Sequence, residues 1–262
     1  MATQQILGLR FFDGTIAEAV DQAIKGGGLI VAPSATCFAR LTEDAIYRRA
    51  VTEADMVLPD SGFMVLLWRL LQRQRIKRIS GLAYFRELLR QPTLREVGRT
   101  FWIFPNESAR DKGVGWLTGQ GFRINSADYH VAPMYGAEVE DEVLARRTSK
   151  CHPRHIIIGL AGGVQEKLGA FLRQRLDLAT TIHCLGGAVG FLTGDQIGIP
   201  DWADRLYLGW LFRLFSNPRK FLPRLWSARI LPGLILNYGE HLPPLKWEVG
   251  RKIQKPESVV EE

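Results

Sequence analysis

The sequence predicts an α/β fold: a Rossmann-like, mostly parallel sheet with helices on both faces, followed by a C-terminal helical appendage. Three observations carry this. Up to about residue 190, short apolar runs alternate with longer amphipathic segments, the pattern of strands joined by crossover helices. Several of these runs end in turns rich in Gly, Pro and Ser. Beyond Pro200 the strand pattern stops, and Pro223, Pro232, Pro243 and Pro244 keep the remaining residues from forming one long helix. The expected division is a core over 1–199 and an appendage over 200–262, with a frayed tail from Lys252 to Glu262.

Thr15 with Glu18 reads as a capping box opening a helix to about Lys25, stopped by Gly26-Gly27-Gly28. Leu29–Ala32 is a strand, followed by the loop Pro33–Thr36. Thr42 is expected to cap a helix that carries Ile46, Ala50 and Val51 on its apolar face. Met56–Leu58 is a short strand, Pro59–Gly62 a turn, and Phe63–Leu71 an apolar helix; Ser80-Gly81 begins another helix through Leu89. Thr100–Phe104 and Phe122–Ala127 are the next strands, with a Gly-dotted helix between them. Ala137–Lys150 is a charged helix. His155–Leu160 is the clearest strand, and Ala161-Gly162-Gly163 leads into the helix Val164–Leu176. Thr180–Leu185 is the last strand. In the appendage, Asn217 caps a helix over Pro218–Ile230 that comes after one over Trp202–Phe215.

At 262 residues the chain is long enough for one large core plus an appendage. With 46% hydrophobic and 23% charged residues it reads as globular, and its net charge of +7 favours anionic partners: nucleic acid, acidic lipid or phosphorylated substrates. Cys37, Cys151 and Cys184 lie far apart, which points to neither a disulfide framework nor a zinc site and makes a reducing cytoplasm the simplest compartment. The N-terminus does not read as a signal peptide, and no apolar run approaches a membrane span.

In parallel α/β sheets, ligands sit beyond the carboxyl ends of the strands. That rule selects the loops Pro33–Thr36, Pro59–Gly62, Gly159–Glu166 and Gly186–Gly194. Asp60 is the carboxylate held between a strand and a helix start. It suits a general base acting on an acceptor hydroxyl, but the residue pattern alone favours a helix N-cap. Gly159 to Glu166 places small residues before Gln165 and Glu166 at a helix start, where backbone N–H groups bind phosphate or a sugar hydroxyl. Gln165 suits a uracil or sugar contact, or simple solvated polarity. Gly186-Gly187 begins a turn only loosely like a dinucleotide fingerprint, without the spaced acidic residue a ribose requires. No cofactor is expected and no metal-ligating pair is seen. The histidines do not cluster in the sequence: His183 reads as a buried, satisfied imidazole, while His130, His152 and His155 fall near loops.

From Arg205 to Arg229 lie six basic residues, six interleaved aromatics and no acidic residue. This mixture suits an anionic, partly apolar surface better than a solvated face. It argues against nucleic acid, because the cations stand among aromatics of buried type and not along a polar groove.

The whole pattern resembles the WecG/TagA/CpsF family of bacterial glycosyltransferases. Four blocks carry the resemblance: EADMVLPDSGFMVLLWRLL (Glu53–Leu71), KRISGLAYFREL (Lys77–Leu88), IIIGLAGGVQEK (Ile156–Lys167), and the stretch Leu185–Arg224. The resemblance implies inverting, metal-independent transfer of a sugar from a UDP-sugar donor. The acceptor would be a polyprenol-diphosphate-linked sugar at the inner membrane face, in cell-envelope or exopolysaccharide synthesis. It implies Asp60 as catalytic base and Gln165 and Glu166 as donor-site residues; with the strand-end loops selected above, the expected substrate-binding set is Ser34, Thr36, Ser61, Gly62, Ser80, Gly81, Gly162, Gln165, Glu166, Gly186 and Gly187. The appendage arginines Arg205, Arg213, Arg219 and Arg224 would close over the donor diphosphate, since arginine binds diphosphate through paired donors. The chain would then lie peripherally on an anionic membrane surface; a homo-oligomer is left open.

The chain departs from the family pattern at several polar positions. Ala32-Pro33-Ser34 replaces Thr-x-Asn, and Ala83 replaces an aspartate. Gly163 replaces a proline, and Gly190 an aspartate. The donor sugar therefore need not be N-acetylmannosamine, with Ser34 or Thr36 as substitute hydrogen-bond donors. A non-catalytic relative binding a nucleotide-sugar or a partner is the alternative.

Overall fold

The computed structural model describes residues 2–194, 215, 219, 222 and 226–248. Its strands are β1 (Thr3–Ile6), β2 (Leu9–Phe12), β3 (Gly28–Val31), β4 (Met56–Val57), β5 (Thr100–Phe104), β6 (Tyr129–Val131), β7 (His155–Ile158) and β8 (Thr181–Cys184). They form one sheet in the order β1-β2-β4-β3-β8-β7-β5-β6. Every pairing is parallel except the β1–β2 hairpin. The α/β, mostly parallel expectation is met.

Alternation along the strands sends side chains to two cores. Leu29, Val31, Phe101, Ile103, Ile156 and Ile158 face one layer, and Ile30, Trp102, Phe104 and Ile157 face the other. The first layer holds α2 (Ala45–Thr52), α3 (Gly62–Leu71), α7 (Glu142–Cys151), α8 (Gln165–Arg173) and α10 (Leu231–Tyr238). The second holds α1 (Ile16–Gly26), α4 (Gly81–Leu89), α5 (Pro92–Arg95), α6 (Glu107–Gly119) and α9 (Gly187–Leu192). Side-chain caps start most of these helices. Thr15 and Glu18 form the expected capping box, and Ser61, Ser80 and Asn106 cap α3, α4 and α6. Such a cap is worth about 1 kcal/mol.

Several expectations are corrected. The β1–β2 hairpin has no counterpart in the sequence pattern, because its turn is Leu7-Gly8 with φ of 50° and 77°, and a leucine at positive φ is no turn signal. Thr42 does not cap α2. Residues Ala35–Thr42 wind as a 3-10 stretch, and Asp44 is the cap, accepting from Tyr47 N–H at 3.0 Å. Ala50 and Val51 are buried as expected, but Tyr47 joins them on the buried face while Ile46 is exposed. The strand expected over Phe122–Ala127 lies later, at Tyr129–Val131, after a 3-10 turn over Ser126–Asp128.

The described C-terminal residues pack on the core. Leu231, Leu234 and Ile235 of α10 are buried beside α3, and Gln72 Nε2 donates to the Ile235 carbonyl at 3.0 Å. Leu7 and Gly8 N–H groups donate to the carbonyls of Gly239 and Glu240 at 2.9 and 2.8 Å. Arg48 reaches the Pro243 carbonyl, and Lys246 pairs with Glu43. Among the described residues no helix is long and apolar enough to cross a membrane.

Candidate active site

The chain leaves β3 and β7 toward the α2/α8 layer, and it leaves the intervening β8 toward the α4/α9 layer. Diverging connections of this kind open a crevice at the carboxyl ends of a parallel sheet. All four loops selected from the sequence stand at that end of the sheet.

Asp60 comes just after β4. Its loop is pinned from below by Leu58 N–H donating to the Val31 carbonyl at 2.8 Å, and from the side by Ile79 N–H donating to the Pro59 carbonyl. Asp60 does not cap the next helix. Ser61 does, accepting from Met64 N–H at 3.2 Å. The Asp60 carboxylate is thereby released to accept the Gly81 N–H at 2.8 Å, at the N-terminus of α4. A methyl placed on Gly81 would stand 3.7 Å from both the Asp60 carboxyl and the Ala32 methyl. The end of β3, the loop after β4 and the start of α4 therefore converge on this carboxylate. Ser80, in the same corner, spends its hydroxyl capping Ala83 N–H.

Arg78 was not singled out from the sequence. Its Nε donates to the Asp60 carbonyl at 2.8 Å, and its Nη2 stands 3.8 Å from the Asp60 carboxylate. The Arg78 side chain is 13% exposed and that of Asp60 26%, so the pair is sheltered but open on one side. The available signal was an arginine two residues before a Ser-Gly helix start, which says nothing by itself about what the guanidinium meets.

A second cluster lies after β3 and β7. Ser34 Oγ lies 3.0 Å from Thr36 Oγ1 and 3.3 Å from Cys37 Sγ, so the two hydroxyls expected as donors bond to each other at the surface of the crevice. A methyl on Gly162 would approach Cys37 Sγ to 2.8 Å, so this turn lies against the β3 loop through a missing side chain. Gly163, with φ of +94°, lies under Arg40: a methyl there would stand 2.6 Å from Arg40 Nε. Arg40 was also missed, as a lone cation in an apolar stretch.

Gln165 and Glu166 begin α8, and both are buried. Solvated polarity is thus excluded for Gln165. Glu166 accepts the Gly163 N–H at 2.6 Å on one oxygen and the Gln165 amide at 3.1 Å on the other, so its carboxylate shapes the turn. Burial pushes its pKa up, opposed by those hydrogen bonds and by the charge of Arg40. Among the described residues Gln165 Oε1 meets no hydrogen-bond donor, although it is buried. A methyl on Gly186 (φ +42°) would meet it at 3.1 Å, which places Gly186 and the β8–α9 turn beside this unsatisfied acceptor. A buried acceptor without a donor costs about 1–3 kcal/mol, which a ligand N–H or O–H offsets. Gly187 starts α9 and Gly62 starts α3.

Of the appendage arginines, Arg219 is helical and exposed. Arg205, Arg213 and Arg224 lie outside the described residues, as do the expected Asn217 cap and most of the two tail helices. Phe215, Leu222 and Trp226 are exposed, and Arg229 stacks 3.9 Å from the Trp226 ring.

His183 is a buried, hydrogen-bonded imidazole as expected, but His155 is not near a loop: it pairs with His183 inside the sheet. His155 Nδ1 lies 3.3 Å from His183 Nε2, and Tyr84 Oη 3.1 Å from His183 Nδ1. Burial pushes the His183 pKa well down and that of His155 down to about 4, so both are neutral. Both are fully buried in the sheet–α4 layer, and among the described residues His155 Nε2 meets no hydrogen-bond partner. Parallel register, invisible in sequence spacing, brings them together.

The model of the glycosyl transferase WecG/TagA/CpsF family matches residues 4–242. The chain belongs to this family. Two curated relatives share the name N-acetylglucosaminyldiphosphoundecaprenol N-acetyl-beta-D-mannosaminyltransferase. The protein from Bacillus subtilis is 26% identical over 178 residues, covering 67% of this chain and 66% of the relative. That from Bacillus spizizenii is 23% identical over 176 residues, with the same coverage. The chain thus spans just under two thirds of the length of these relatives. The WecG/TagA/CpsF assignment agrees with the resemblance drawn from the four sequence blocks.

Proposed function

We propose that this chain is an inverting, metal-independent hexosyltransferase that moves a sugar from a UDP-sugar to a polyprenol-diphosphate-linked acceptor. The observation that carries the reading is Asp60, a carboxylate aimed by the Gly81 N–H and Arg78 at the strand ends of a family fold. In the proposed step Asp60 takes the proton of the acceptor hydroxyl while that oxygen attacks the anomeric carbon. The bond from that carbon to the UDP oxygen breaks on the opposite face, and UDP departs with the electron pair. The base contributes about 10²–10⁴ in rate. Arginines of the C-terminal stretch stabilise the departing diphosphate. The buried, unsatisfied Gln165 Oε1 beside Gly186 supports a donor subsite at that end of the crevice.

The relatives' name specifies N-acetylmannosamine and an N-acetylglucosamine diphospholipid. Here Ala32 puts a methyl beside the Asp60–Gly81 contact where the family pattern has a threonine, so another UDP-hexose is an equal candidate as donor. The proposed place of work is the cytoplasmic face of the membrane.

The test is a panel of UDP-hexoses and UDP-N-acetylhexosamines offered with a polyprenol-diphosphate-linked sugar, with and without chelator. Transfer from one donor, unchanged by chelator and with inverted anomeric configuration, is the expected result. UDP binding without transfer from any donor would instead identify the non-catalytic alternative.

A further inference from the structure

α3 has an outward face that the catalytic reading does not use. Met64, Val65 and Trp68 are buried, whereas Leu66 is 48% and Leu70 73% exposed. Arg69, three residues after Leu66, is exposed on the same side of the helix, and Arg73, two residues beyond the helix end with φ of 56°, is exposed as well. The face continues into a loop with exposed Arg75 and Lys77. No acidic residue occurs from Gly62 to Arg86. The neighbouring helix α10, packed on α3, exposes Leu236 at 60%.

Two leucines held outward at helical spacing, rimmed by cations of one sign, match an anionic bilayer surface. They match a second copy of this chain poorly, because a two-fold contact sets this cationic stretch, which has no acidic residue from Gly62 to Arg86, against the same stretch of the other copy. We propose that the outer face of α3 is a docking surface for anionic lipid, distinct from the C-terminal aromatic stretch. The helix begins two residues after Asp60. Leu66 and Leu70 therefore lie about 6 and about 12 Å along its axis from Gly62. A bilayer on this face stands beside the carboxylate, which ties docking to delivery of a lipid-linked acceptor. The delivery role rests on the proposed transfer reaction; the lipid binding does not.

The experiment is co-sedimentation of the full chain with phosphatidylglycerol/phosphatidylcholine vesicles and with phosphatidylcholine alone. Each cation near an anionic leaflet contributes about 1 kcal/mol. The double variant Arg69→Gln/Arg73→Gln should therefore partition about 30-fold more weakly. Leu66→Gln/Leu70→Gln should also weaken partition, with the thermal shift given by UDP unchanged in both. Leu70→Cys carrying an environment-sensitive dye should shift to the blue on anionic vesicles only. Undiminished partition of both double variants, or a dye that stays water-exposed on the vesicles, overturns the proposal. So does a dimer that Leu66→Gln/Leu70→Gln dissociates while vesicle binding persists, since the face then belongs to a second copy. Failure of sugar transfer by the unaltered chain removes the enzymatic reading and leaves the vesicle result standing.

Discussion

Arg78 holds Asp60 at two points, donating to its backbone carbonyl at 2.8 Å and standing 3.8 Å from its carboxylate. The first contact fixes where the loop after β4 passes, and the second fixes which way the carboxylate faces. Together with the Gly81 N–H, this leaves little rotational freedom to a group proposed to take a proton from a bound acceptor.

Arg78→Gln should therefore lower kcat for sugar transfer by about 10–100-fold, within the range that orientation of a reacting group supplies. The pair is partly exposed, so the stability cost should stay near about 1 kcal/mol. Arg78→Lys should recover only part of the rate, because an ammonium lacks the forked geometry that reaches carbonyl and carboxylate at once. Steady-state kinetics with a melting curve on each variant checks both statements.

Gly162 tests the second cluster. The methyl of Gly162→Ala would approach Cys37 Sγ to 2.8 Å, and Cys37 is buried and bonded to Ser34. Overpacking of this kind costs about 1–3 kcal/mol. Cys37→Ala in the same chain should recover most of that loss, a coupling that a double-mutant cycle in urea measures directly.

The histidine pair predicts an acid limb of the stability curve. His155 titrates at about 4 in the folded chain against 6.5 for the free side chain, and burial pushes His183 down as well. Protonation therefore favours the unfolded chain. The contribution is fully present above pH 6.5 and is lost as pH falls from 6.5 toward 4, on the order of 3 kcal/mol for His155. His155→Leu should flatten this limb in urea midpoints measured against pH.

Much of the scaffold was legible because parallel α/β folds write themselves in alternating apolar runs, and because helix starts such as Thr15 and Ser80 are local chemistry; the cap of α3 was expected at Asp60 and falls on Ser61. The site loops came from one rule about strand ends. What stayed hidden depends on who meets whom across the sheet. Arg78 looks like any surface arginine until the β4 loop is placed beside α4, and Arg40 until Gly163 is placed beneath it. The Leu7-Gly8 turn was missed because its first residue adopts a conformation that leucine rarely takes. His155 and His183 became neighbours only through strand register.

The central claim is that Asp60 removes a proton from the acceptor during sugar transfer. Asp60→Asn keeps the side chain's size and an oxygen for the Gly81 N–H while removing its basicity. The decisive measurement is transfer to the lipid-linked acceptor by this variant, alongside the thermal shift that UDP gives. The account predicts a loss of at least about 100-fold in kcat with the UDP shift retained. Transfer at the rate of the unaltered chain would contradict it.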